Sequence, residues 1–279
     1  MECKVSKCFL GRMLEITSGS VCLGVTLDVG PRIIKIAGKK GENIAFEDKL
    51  DQVNKDVSAI YGEGKAWHIY GGHRMWLSPE DESTYYPDNT RVDYVMTESG
   101  AIFEPAEWKV KNVRPRLELR FDGKNGVEVE MSFVNTSAKA QKLCVWALTV
   151  LRCGGKLTVP LSTENTGYLA NRNIVHWHYN DVNDSRFRLC NDKFVLTSTP
   201  DAAGPFKVGT MLKGIKAVYE YNGTVFTKEC DAREGEYPDF ASNLETYTSE
   251  LIHEVETLSP IEEIAPGGKI THTEKWRVE

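Results

Sequence analysis

The run Tyr70-Gly71-Gly72-His73-Arg74-Met75-Trp76-Leu77-Ser78-Pro79-Glu80 packs the most potential chemistry into the fewest residues of this chain. A titratable imidazole and a fixed guanidinium follow a glycine pair, and an indole, a proline turn and a carboxylate come next. A pocket for a polyhydroxylated ligand uses that set: a ring to stack on, a fork of donors and a group that moves protons. The plainer reading is a glycine turn feeding a strand, with Trp76 in the core and Arg74 in a structural ion pair.

Other constellations are thinner. His176-Trp177-His178 puts two imidazoles on one side of an extended segment, with Asp181 as a third potential metal ligand, but the carboxylate and glycines of a cupin-type site are missing. Glu254 and Glu256 share a strand face too closely to flank a glycosidic bond, and read as an exposed edge or a structural pair. There is no Gly-x-Ser-x-Gly nucleophile elbow, no cysteine in an activating context and no glycine-rich phosphate loop opening a helix. Asn243, Glu245 and Tyr247 fall on one face of their segment, an amide, a carboxylate and a phenol suited either to a sugar or to solvent.

The elements that must position these residues read almost entirely with a period of two. Leu117–Phe121 and Val127–Phe133 alternate apolar with polar, joined by Asp122-Gly123-Lys124-Asn125-Gly126. Ala217–Tyr221 and Thr224–Thr227 flank Asn222-Gly223, a two-residue hairpin turn. Further strands are predicted near residues 21–28, 32–37, 91–98, 143–151, 186–198, 243–257 and 270–278, with at most a short helix between Glu47 and Ala59. With no linker and no repeat, the 279 residues predict one all-β domain, 1–279, a large antiparallel sandwich or barrel.

Composition narrows the function classes. Hydrophobic residues at 41% and charged residues at 27% fit a soluble globular protein with a sizeable core. A net charge of −6 without a basic run argues against nucleic acid. Seven cysteines without Cys-x-x-Cys spacing fit reduced thiols, hence a cytoplasmic protein, and no apolar run is long enough to span a bilayer. No cofactor or resident metal is expected.

Three ordered segments resemble the galactose mutarotase-like superfamily, the aldose 1-epimerases and their less characterised relatives. They are Asp28–Ile34 with Gly41-Glu42-Asn43-Ile44; the Gly71–Trp76 loop; and Tyr237–Phe240 through Asn243-Leu244-Glu245-Thr246 to Ser259-Pro260, closing with Ala265-Pro266-Gly267-Gly268 and Glu274-Lys275-Trp276. Asn135-Thr136-Ser137 and Val145–Thr149 lie where such proteins place a central strand pair. The resemblance implies an antiparallel β-supersandwich that binds a carbohydrate and interconverts its anomers, a carboxylate removing the anomeric proton while a histidine protonates the ring oxygen. It implies Glu245 as the base, Arg32 and Arg74 as hydroxyl ligands and Trp76 as a pocket wall; the residue patterns themselves add Tyr70, Asn243, His176 and His178 as further candidate contacts. The family's histidine before its Gly-Gly pair is Tyr70 here, and the acid's central-strand position falls on Asn135 or Thr149. His73, His176 or His178 must therefore stand in as the acid, with His73 first; if none does, the chain is a sugar-binding module on an enzyme's fold.

Overall fold

The computed structural model describes residues 1–38 and 41–279. Two antiparallel sheets take about half of them, one of eleven strands and one of ten, with a small hairpin (Asn54–Asp56 with Ala66–His68) laid beside the larger. Both sheets draw strands from early and late parts of the chain, so the core is built from contacts distant in sequence.

The strands form where alternation predicts them. Val113–Phe121 pairs with Gly126–Asn135, and Gly214–Tyr221 with Thr224–Asp231 across Asn222-Gly223, both of which take the positive φ that such a turn requires. On the smaller sheet Leu117, Leu119, Val129, Met131 and Phe133 turn inward, while Arg116, Glu118, Arg120, Glu128 and Glu130 form an ion-pair network on the outer face. The predicted 186–198 segment is two strands, Phe187–Leu189 and Lys193–Thr197. The 243–257 segment is likewise Leu244–Thr248 and Ile252–Leu258, folded back on each other. Where a short helix was expected, only one turn forms, Ser58–Tyr61.

The centre of the larger sheet runs, strand by neighbouring strand, through Ile33–Gly38, Gly72–Ser78, Gln141–Arg152, Ile252–Leu258, Leu244–Thr248 and Phe206–Thr210. The glycine pair permits close approach within the chain itself: a Cβ on Gly71 would lie 2.1 Å from the Phe46 carbonyl oxygen, and one on Gly72 2.3 Å from that of Ile33. Both glycines have positive φ.

Parity then divides the central strands. His73, Thr149 and His253 turn toward the smaller sheet, where Lys228 and Glu274 are fully buried as an ion pair at 2.9 Å. Lys228 also donates to the Ala147 and Val255 carbonyls and to Thr149 Oγ1, tying the smaller sheet to two central strands of the larger. Arg74, Trp76, Trp146, Leu148, Glu245, Tyr247, Glu254 and Glu256 have the opposite parity.

Candidate functional site

That second face carries a cavity of about 680 Å³. Trp76, Trp146 and Leu148 come to it from two central strands, Glu254 and Ile252 from the next, and Tyr247 and Lys207 from the two beyond. Trp67 enters from the small hairpin, and Trp177 and Tyr179 from the segment after Val175–His176. The three indoles Trp67, Trp76 and Trp146 stack in a row, with centroids 5.3 and 4.7 Å apart. Trp76 Nε1 donates to the Thr84 carbonyl, which fixes the middle ring.

Beneath this wall lies a compact charge cluster. Lys207 Nζ is 2.7 Å from Glu245 Oε2 and 3.1 Å from Glu256 Oε2, and it sits over the Trp146 and Trp177 rings. Glu256 Oε2 also accepts from Trp146 Nε1 at 2.8 Å, while the second oxygens of Glu245 and Glu256 are buried without a partner. Gly209 pairs directly with Glu245, and its missing side chain makes room for Ser242 and Trp177.

Burial dominates the titration of this cluster. It pushes Glu245 up; Lys207 opposes it and Glu256 adds to it, and the carboxyl ends at about 8. Burial and then the Glu256 charge raise Glu254, which is partly exposed to the cavity, well above the usual carboxyl range. Lys207 goes the other way, because Glu256 and Glu245 outweigh its own burial and hold it firmly as an ammonium. The patch therefore keeps a proton on Glu245 at neutral pH beside a fixed cation, the separation of acid and base character that proton-transfer sites use.

Arg74 is the anomaly of the site. It is 1% exposed, packed over Trp67 and Trp76 at 5.1 and 4.4 Å, and none of its three side-chain nitrogens has a hydrogen-bond partner. Burial, reinforced by Arg32, lowers it to about 9. Arg74 itself is not on the cavity lining, but five unpaired donors packed behind its aromatic wall are an open demand for oxygen acceptors.

The remaining expected residues distribute themselves differently. Glu245 belongs to the cluster but is 1% exposed, set behind Lys207 and not on the cavity surface. His73 faces the inter-sheet core, with Nδ1 2.9 Å from Thr149 Oγ1 and its ring edge-on to Trp276, so the structure does not put it opposite Glu245. Burial, then Lys228, lowers its pKa well below the usual imidazole range. Arg32 is occupied by a buried bidentate pair with Asp88 (Nη2 to Oδ1 2.8 Å), so its fork is not offered to a ligand as expected. Tyr70 is likewise engaged, donating to Asn89 Oδ1 and stacking on His68. Asn243 is spent on the Leu212 backbone, accepting at 2.9 Å and donating at 2.8 Å.

His176 meets the Phe187 and Phe206 rings edge-on, and the exposed His178 packs on Tyr179; it is the Trp177 between them that lines the cavity. Among the described residues no three His, Cys, Asp or Glu side chains converge as metal ligands. Glu254 and Glu256 are not an edge: their strand is central, Glu256 is fully buried and Glu254 lines the cavity. Lys207, Trp146 and Trp177 are site residues that sequence reasoning missed. The one available signal was a lysine in the apolar run Phe206-Lys207-Val208-Gly209.

No protein-family model and no curated protein sequence matches this chain. Solved structures do. A galactose mutarotase-like protein from Lactobacillus casei superposes with a TM-score of 0.62 at 12% identity, over 96% of this chain and 100% of that one. A galactose mutarotase related enzyme from Lactobacillus acidophilus gives 0.52 at 12% identity, over 96% and 97%. The all-β architecture is thus the galactose mutarotase-like supersandwich, as the ordered motifs of the sequence implied. At such identities the likeness establishes the fold, and the chemistry has to be argued from the site.

Proposed function

We propose that the cavity binds a carbohydrate and that its carboxyls interconvert the sugar's anomers, an aldose 1-epimerase-like reaction. The observation that carries this reading is a cavity lined by an aromatic wall, Lys207 and Glu254, with the unpartnered Arg74 guanidinium and the carboxyls of Glu245 and Glu256 packed directly behind that lining. Aromatic faces accept the C–H faces of a pyranose, and Arg74 supplies donors to its hydroxyls. Glu254, which lines the cavity and whose proton is held well above the usual carboxyl range, gives that proton to the ring oxygen as C1–O5 breaks. Glu245, once it has lost its own proton, takes the one from the anomeric hydroxyl by way of Lys207 Nζ, which gives a proton to Glu245 as it accepts the hydroxyl's, and the hydroxyl becomes the aldehyde. Rotation about C1–C2 and closure with the transfers reversed give the other anomer. Lys207, 2.7 Å from Glu245 Oε2, neutralises the charge left on Glu245. In this reading Glu254 takes the role for which the sequence offered His73.

One observation favours a second reading, a sugar-binding module without turnover: Lys207 stands between Glu245 and the cavity. NMR of freshly dissolved aldoses with catalytic amounts of protein separates the two. Accelerated anomer exchange, lost in both Glu254→Gln and Glu245→Gln while ligand line broadening persists, supports the epimerase; broadening without acceleration supports the module. Because the base must be unprotonated, the rate should climb as pH rises through about 8. A rate independent of pH between 6 and 9 would remove Glu245 from the base role.

A further inference from the structure

A second cavity, of about 490 Å³, adjoins the first and shares Tyr179 and Pro205 with it. The partition between them is held in place. Asn180 accepts from the Lys207 backbone N–H at 2.9 Å and donates to the Lys207 carbonyl at 2.5 Å, fastening the Tyr179 segment to the strand that carries the charge cluster. The outer rim is also pinned: Arg186 pairs with Asp184 at 2.6 Å, and its Nη2 donates to the Gly204 carbonyl at 2.7 Å.

The lining of this second cavity is polar. Asp181, Asp201 and Thr199 offer acceptors, Asp184 being taken up by Arg186, and the Arg186 side chain, only 9% exposed, retains an Nη1 that is buried and has no partner. Aromatic surface is confined to the shared Tyr179. Acceptors in excess with one unpaired donor match a second ring of hydroxyls, each of which donates once and accepts. A single monosaccharide over Glu254 touches none of this.

Resting on the carbohydrate reading of the first cavity, we infer that the ligand is an oligosaccharide. Its reducing-end unit lies against the indole wall over Glu254, the glycosidic link crosses at Tyr179 and Pro205, and the next unit fills the Asp184–Arg186–Asp201 cavity. Only the terminal unit has a free anomeric centre, so the reaction stays in the first cavity, and the second sets the length and identity of what is bound.

Calorimetric titration tests this with glucose, galactose and mannose against maltose, cellobiose, lactose and mannobiose. Matched disaccharide should bind at least about ten-fold tighter than its monosaccharide, as about 1.4 kcal/mol of added contact implies. Arg186→Met should erase that gain and leave the monosaccharide unchanged. Ala203→Trp, at an exposed lining position, should do the same by filling the space, so the test survives if the arginine variant fails to fold. Equal affinity for mono- and disaccharide, or a disaccharide preference untouched by Ala203→Trp, overturns the inference. Binding of no sugar at all overturns the carbohydrate reading itself, a different result from the first two.

Discussion

Arg74 shows how much one side chain can decide. A guanidinium this deeply buried ordinarily has carboxylate partners, and losing them costs several kcal/mol. Here only the stacked indoles compensate, and cation–π contacts contribute about 2 kcal/mol or so when desolvated. Replacing Arg74 by Met keeps the stem and removes the unpaired charge. The variant should unfold within about 1 kcal/mol of the wild type, or later, because the lost stacking and the relieved burial nearly cancel. It should bind sugar at least about ten-fold more weakly, the loss of one or two charge-assisted bonds. Denaturant midpoints and ligand titrations on the same variant read both quantities. A loss of stability of about 3 kcal/mol or more with unchanged binding would make Arg74 a structural residue. Its neighbour His73 gives the complementary lesson: one step along the strand reverses the face, and the imidazole goes to the core.

At the level of elements, one turn is under visible strain. Asp239, Phe240 and Ala241 take φ of 51°, 56° and 63°, three left-handed residues in succession, none of them glycine. Each costs about 1–2 kcal/mol in that region. Phe240 is 91% exposed, so no packing offsets its share, while Asn173 holds the turn by donating to the Phe240 and Ala241 carbonyls. Phe240→Asn, a residue that tolerates this conformation, should raise stability by about 1 kcal/mol in equilibrium unfolding; no change would mean the turn relaxes freely. The turn leads into the strand bearing Glu245, and Asp239 contributes to raising that carboxyl. Elements of this molecule were legible in sequence to the extent that one face of a strand meets water. The hairpins at 113–135 and 214–231 alternate cleanly and were found; in Gln141–Arg152, buried continuously from Leu143 to Leu151, both faces are apolar and nothing marks Trp146 as the one that meets the cavity. Glu245 could be placed by motif order, whereas Lys207 and Glu254 depend on which sheet face is turned from the core, a property of the assembled sandwich.

For the whole molecule, polar groups sealed on both faces of the larger sheet should govern stability. Lys228→Met leaves Glu274 without its cation in the inter-sheet core and should cost about 3–5 kcal/mol; adding Glu274→Gln should recover much of that. Titration acts on a wider front. His253 and His272 are lowered to about 3 chiefly by burial, with Arg186 and Lys228 respectively adding to it, and His73 is lowered in the same direction. Below pH 6.5 the unfolded chain takes up protons that these folded histidines refuse, so stability falls as pH falls, by about 1.4 kcal/mol per unit for each. Glu245 and Glu254 have the opposite sign. Folded, Glu245 keeps its proton up to about 8, while the unfolded side chain loses it near 4.5, so stability declines as pH rises across that window. Between 4.5 and 6.5 His253 and His272, with His73 in the same direction, outweigh Glu245, and from 6.5 to about 8 Glu245 acts without them, with Glu254 in the same direction, which places the stability maximum near pH 6.5. Thermal unfolding followed from pH 4 to 9 should trace that dome. Glu245→Gln, which keeps an acceptor for Lys207 and cannot ionise, should flatten the limb between 6.5 and 8 and leave the acid limb as it was. An alkaline limb equally steep in the variant would mean that Glu245 is ionised throughout, and the proton-holding cluster under the indole wall would lose its central member.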